Sequence, residues 1–182
     1  PRRPLWEHTD SLIAHLNITT GETIADIGCG SGFFTDKFSR LVGETGRIYA
    51  IEIKDEHINT LNDYINDEHI SNVSVIKGKE DVLEIPEQVD KMFMCSLYHV
   101  LYGVTSDADR DKYLKSLVKL LKPDGELIIV DNGPVDDDTL PYHGPYISRE
   151  LIEYQLRFYG FRLVDYYQII PQRYMLKFKL LN

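Results

Sequence analysis

Ile24-Ala25-Asp26-Ile27 runs into Gly28-Cys29-Gly30-Ser31-Gly32, and Glu52 follows the last of these glycines by twenty residues. The set has three parts. An acidic residue stands late in an apolar run, three glycines follow at a spacing of two, and a second carboxylate closes the next apolar run, Arg47-Ile48-Tyr49-Ala50-Ile51. Glycines let a backbone turn tightly and come close to a ligand. A helix starting just after them offers unpaired N–H groups and a partial positive charge to an anionic group. A carboxylate at the end of the second strand is placed to accept both hydroxyls of a ribose. These parts describe a nucleoside-containing cofactor lying across the carboxyl ends of parallel strands. Glu52 is thereby expected to serve the ligand and to matter little to the core.

The elements that must position these residues alternate along the chain. Residues 11–16 read as a short helix before the first strand. Phe34, Phe38, Leu41 and Val42 recur at helical spacing after the glycines, and Ile58, Leu61 and Ile65 mark a second such helix. Val73-Ser74-Val75-Ile76 and the fully apolar Met92-Phe93-Met94-Cys95 read as buried parallel strands. A long helix is expected from Asp107 to Leu121, stopped by Lys122-Pro123-Asp124-Gly125. Leu127-Ile128-Ile129-Val130 is a further strand, Ser148 caps a last helix, and two strands close the chain around Pro171. Such alternation predicts an α/β doubly wound sheet with helices on both faces, in one domain over residues 1–182.

Composition narrows the partners. The formal net charge of -9 argues against a polyanionic partner, because nucleic-acid binding needs a positive surface. No apolar run approaches the ~20 residues of a membrane span. The two cysteines, Cys29 and Cys95, offer neither a disulfide framework nor metal-ligand spacing, so a cytoplasmic setting is expected.

The spacing of the loop, with its third glycine one residue earlier than in dinucleotide folds and with Asp26 before it, resembles motif I of the class I S-adenosylmethionine (SAM)-dependent methyltransferases. Leu121-Lys122-Pro123-Asp124-Gly125-Glu126-Leu127 is similar to that family's turn before its fifth strand, and Gly160-Phe161 to its ending before the sixth. The resemblance covers nearly the whole chain. It implies a Rossmann-like seven-stranded sheet in order 3-2-1-4-5-7-6 with the last strand antiparallel. It also implies SAM as cofactor and S-adenosylhomocysteine as product. Asp26, Gly28, Cys29, Gly30, Gly32, Glu52, Ile53 and Cys95 would line the cofactor. An acidic residue after the third strand would meet the adenine: Asp81 is the first choice and Glu80 the second, since Lys79 directly follows Gly78.

Ser96-Leu97-Tyr98-His99 follows the fourth strand, where the transferable methyl group would point. His99 is the candidate base because an imidazole titrates near neutrality, and Tyr98 is a second candidate; the alternative is that both belong to the helix that follows. Residues 136–146 form a long loop in which Tyr142, His143 and Tyr146 could line a pocket for the methyl acceptor. Asp131-Asn132 resembles the metal-binding pair of cation-dependent O-methyltransferases, but Cys95 falls where their further hard ligand is needed, so no metal is expected. The expected function is metal-independent methyl transfer from SAM to a small-molecule acceptor. A cation-dependent O-methyltransferase, an NAD(P)-dependent oxidoreductase and a non-catalytic SAM-binding module are the alternatives.

Overall fold

Apolar residues alternate along the strands so that each strand feeds both faces of one sheet, and the helices fall on the two faces accordingly. A computed structural model describes residues 8–134 and 145–181. The first strands and helices are α1 (Thr9–His15), β1 (Thr23–Ile27), α2 (Phe33–Val42), β2 (Arg47–Glu52), α3 (Asp55–Asp67) and β3 (Val73–Lys77). Then come β4 (Val89–Cys95), α4 (Tyr98–Val104), α5 (Asp107–Leu120), β5 (Leu121–Asn132), α6 (Arg149–Arg157), β6 (Phe161–Ile170) and β7 (Arg173–Leu180). The sheet order is β3-β2-β1-β4-β5-β7-β6, and β7 alone runs antiparallel to its neighbours β5 and β6. That is the order and the reversal expected.

On one face, Leu12 of α1, Leu16 just after it, and Phe34, Phe38 and Val42 from α2 pack on Ile24, Ile48, Phe93, Ile128 and Met175. Phe34, Phe38 and Phe93 form an aromatic cluster with ring centroids 4.9–5.8 Å apart. On the other face Leu101 of α4, Tyr113, Leu114 and Leu117 of α5 and Ile152 and Leu156 of α6 cover Ala25, Met92, Met94, Leu127, Ile129 and Leu176. Ser148 and Ser106 cap α6 and α5, their hydroxyls accepting the N–H groups of Leu151 and Asp109. The stop expected at residues 122–125 takes a different form. Leu121 already pairs with Val89, and the ladder resumes at Lys91 with Glu126, so 122–125 loop out inside β5.

Gly32 shows how tightly the glycine loop is built into this frame. It takes φ 95° as the residue that opens α2, and a Cβ placed on it would stand 2.4 Å from Leu61 Cδ1 of α3. The position therefore needs a residue with no side chain for two reasons, backbone conformation and the approach of α3. Gly32→Ala is expected to lower folding stability by about 1–3 kcal/mol, the range for overpacking a filled core, read as a shift in urea midpoint at constant slope.

Candidate active site

Strands β1 and β2 end side by side, and the glycine loop folds back over the end of β2. The N–H groups of Gly28 and Cys29 both donate to Ile51 O, at 2.8 and 3.0 Å. Glu52 then gathers the loop from below. Its Oε2 accepts the Gly30 N–H at 2.9 Å, and its Oε1 accepts those of Ile53 and Lys54 at 2.8 and 3.0 Å. Burial alone would raise this carboxyl. The backbone N–H groups of Lys54, Ile53 and Gly30, together with the His57 ring, outweigh it and hold Glu52 below the ordinary glutamate range. Only 7% of the residue is exposed, so the expectation that Glu52 matters little to the fold is corrected: its carboxylate is a structural tie.

A cavity of about 300 Å³ opens above this arrangement, at the carboxyl ends of the strands. Its floor is Ile27, Gly28 and Ile51, and Glu52, Ile53 and His57 form one wall. Lys79 and Glu80, and Leu97, Val100 and Leu101 of the β4–α4 segment, complete its lining. Gly30, at φ 56°, has nothing within 4 Å of where a Cβ would stand, so its backbone is open to an approaching ligand. These features fit a nucleoside: a carboxylate for hydroxyl donors, apolar walls for a base and a bare backbone for close approach. A larger hollow of about 470 Å³ lies at the opposite, amino ends of the strands. It is walled by charges that already pair with each other, Lys91 with Glu22 at 2.7 Å and Lys122 with Asp90 at 2.9 Å.

Several expected site residues turn out to do other work. Asp26 is 3% exposed and faces α2, accepting the Thr35 hydroxyl at 2.6 Å, so it braces the loop from behind. The Cys29 side chain packs with Ala50 and Leu61, away from the cavity. Burial, with the Asp26 and Glu52 charges, pushes its thiol well up. Asp81 is drawn to Lys112 of α5 at 3.3 Å, which leaves Glu80, the second choice, in the cavity wall. Tyr98 is fully buried and donates to Gln155 at 2.5 Å, and its phenol is pushed up by burial. It is a core residue. Tyr142 and His143 lie outside the described residues, and Tyr146 is exposed.

His99 gains a partner that its sequence position did not reveal. Asp131, at the end of β5 and fully buried, accepts the His99 backbone N–H at 3.1 Å and meets its Nδ1 at 2.9 Å. It also accepts the Asn132 N–H at 2.9 Å. A carboxylate facing Nδ1 makes that nitrogen the donor and leaves Nε2 as the acceptor, the form a base requires. Beside this pair the buried guanidinium of Arg173 donates to Asn132 Oδ1 at 3.0 Å, to Cys95 Sγ at 2.9 Å and to Ser96 Oγ at 3.0 Å. No local pattern marks Arg173; it arrives through the register of β7, where it pairs with Asn132. Among the described residues no group of three or more His, Cys, Asp or Glu side chains is arranged to hold a metal ion.

The family described as methyltransferase domain matches residues 18–156. A curated relative, the ubiquinone/menaquinone biosynthesis C-methyltransferase UbiE of Escherichia coli O1:K1, is 32% identical over 115 residues, which are 63% of this chain and 44% of that protein. The chain thus matches less than half of that relative's length. Among solved structures, a SAM-dependent methyltransferase from Aquifex aeolicus superposes with a TM-score of 0.84 at 24% identity, covering 100% of this chain and 94% of the other. The CcbJ methyltransferase from Streptomyces caelestis gives 0.75 at 12% identity, covering 100% and 91%. At these identities the likeness shows the fold.

The structural part of Glu52 can be measured without any ligand. Glu52→Ala should cost about 1–3 kcal/mol of stability near pH 7, because it strips acceptors from buried N–H groups. The folded carboxyl lies below its unfolded value, so its contribution is complete above the ordinary glutamate pKa of about 4.3 and fades as pH falls through the folded value. The gap in urea stability between the native protein and Glu52→Ala should therefore narrow below that pH.

Proposed function

The chain belongs to the methyltransferase domain family, and its sheet order and glycine loop make it a class I, SAM-dependent member; from that premise we propose that it methylates a small-molecule acceptor through a general base and without a metal ion. The observation that carries this reading is the pair of His99, in the first turn of α4, and Asp131, near the end of β5, with the sequence neighbours of His99, Leu97 and Val100, lining the cavity. Glu52 and the open backbone of Gly30 would hold the cofactor's ribose, and Ile53, Val100 and Glu80 its adenine. Bound SAM supplies a methyl group on an electrophilic sulfonium sulfur. The chain's own residues have to orient the acceptor and remove its proton. His99 Nε2 is the accepting nitrogen, and Asp131 fixes the ring and stabilises the imidazolium that forms.

The curated relatives are named as C-methyltransferases, which favours carbon as the acceptor atom. A ring or enol carbon becomes nucleophilic when a conjugated hydroxyl gives up its proton, and a carboxylate-held imidazole suits that task. The metal-free reading has its own chemical support. Asp131 has its oxygens committed to His99 and Asn132, and the Arg173 cation stands 2.9 Å from Cys95 Sγ, where a further metal ligand would have to be. A soft thiol beside a fixed positive charge is a poor place for magnesium.

Release of S-adenosylhomocysteine over a panel of phenols, hydroquinones and enolisable carbonyl compounds tests the activity. With an acceptor in hand, His99→Ala should lower kcat by about 10²–10⁴-fold while S-adenosylhomocysteine affinity stays close to that of the native protein. EDTA should leave turnover unchanged. Loss of turnover on chelation with rescue by magnesium would overturn the metal-free reading.

A further inference from the structure

Tyr113 of α5 is 6% exposed and belongs to the core cluster with Leu101 and Leu117, yet it also lines the cavity of about 300 Å³. Its phenol has no hydrogen-bond partner among the described residues. Burial alone, with no neighbouring charge or hydrogen bond, pushes it up. A buried tyrosine usually gives its O–H a partner. The buried phenols of Tyr98 and Tyr174 follow that rule, donating to Gln155 and to Ile147 O. Tyr113 departs from it, and a polar group left over at a cavity wall calls for a reason.

The position along α5 shows which part of the cavity this residue serves. Lys112 reaches Asp81 at 3.3 Å, and Ser116 Oγ accepts the Leu83 N–H at 2.9 Å, so this stretch of α5 lies against the segment after β3. Tyr113 stands between those two ties, and Glu80 of the cavity lining is the neighbour of Asp81. That is the part of the cavity assigned above to the adenine. A carboxylate is an acceptor only and can meet the exocyclic amino group. The ring nitrogens are acceptors too and need a donor. Other side-chain donors of the lining are engaged or exposed. Lys79 pairs with Glu84 at 2.8 Å, and His57 faces Glu52 at 3.5 Å. The Thr105 hydroxyl donates to Leu101 O, and Lys54 is exposed. Tyr113 supplies a buried donor with nothing else to bind.

We infer that Tyr113 reads the base: its hydroxyl donates to a ring nitrogen of the cofactor's adenine, while Glu80 takes the amino group. The inference rests on reading the cavity as a SAM site. It makes base recognition the task of a helix that follows β4, in addition to the turn after β3.

Calorimetric titration of the whole chain with S-adenosylhomocysteine and with its 1-deaza, 3-deaza and 7-deaza analogues tests this, since each analogue replaces one ring nitrogen by C–H. The native protein should reject at least one analogue by about tenfold or more, the size of one hydrogen bond. Tyr113→Phe should bind the parent about tenfold more weakly. It should also treat one rejected analogue like the parent and keep the native preference towards the other two. The urea midpoint of ligand-free Tyr113→Phe should equal or exceed that of the native protein, because deleting an unpaired buried hydroxyl costs the fold nothing. A lower midpoint would show that the hydroxyl already has a partner in the free protein and would overturn the inference. Native affinity for the parent in Tyr113→Phe, or weaker binding with every analogue preference kept, would overturn it too and leave the cofactor reading standing. No binding of the parent by the native protein would instead remove the cofactor reading itself.

Discussion

Three backbone N–H groups from two separate segments end on the Glu52 carboxylate, and the cavity exists because they do. Gly30 belongs to the loop after β1, and Ile53 and Lys54 belong to the turn after β2. Without a shared acceptor these donors would face a half-dry crevice unpaired, a situation proteins avoid. The carboxylate satisfies them, and the same bonds keep it ionised in a place where burial opposes the charge. Its preparation for a ligand and its role in the fold are one set of hydrogen bonds. The glycines are the other half of this constraint. A side chain at Gly32 would strike α3, and one at Gly30 would be strained by its φ of 56° although it would meet nothing within 4 Å.

The sheet order divides the work between its two sides. The ends of β1 and β2 and the turn after β3 line the cavity, and the start of α4 after β4 and the end of β5 carry His99 and Asp131. β7 contributes because it is reversed. Its first residue, Arg173, therefore lies at the edge where the parallel strands end, opposite Asn132. A buried guanidinium is costly unless hydrogen-bonded, and here it donates to groups on β4 and β5 together. The antiparallel strand thus clamps the ends of β4 and β5 beside the His99–Asp131 pair.

What could be read in the chain beforehand was the part written in local spacing. The glycine triplet, Glu52, the caps at Ser148 and the apolar stripes of α2 and α5 are neighbours in sequence, and all appear in the fold. The sheet order came from family resemblance, because strand order depends on crossovers that no local pattern encodes. Side-chain direction was the weak point. Asp81 and Glu80 are adjacent, and a lysine one helix away on α5 decides which of them leaves the cavity. Tyr98 and His99 are adjacent too, and the start of α4 points one into the core and the other at Asp131.

Ser96 links the two halves of the site. It is a non-glycine residue at φ 55°, between the end of β4 and the start of α4. That conformation is uncommon for an L-residue and persists when its surroundings fix it. Here the Ser96 N–H donates to Val130 O at 2.8 Å, and its hydroxyl accepts from Arg173. The turn that results sends the next residues in different directions. Leu97 packs against Gly28, 3.0 Å from where a Cβ would be, and closes the cavity floor. Two residues later His99 reaches Asp131. One strained residue therefore sets the distance between Leu97 in the cavity lining and His99, and Arg173 holds that residue in place. Methyl transfer depends on the acceptor lying in line with the sulfonium carbon, so on the proposed reading the geometry of this short turn matters to the rate as well as the histidine does.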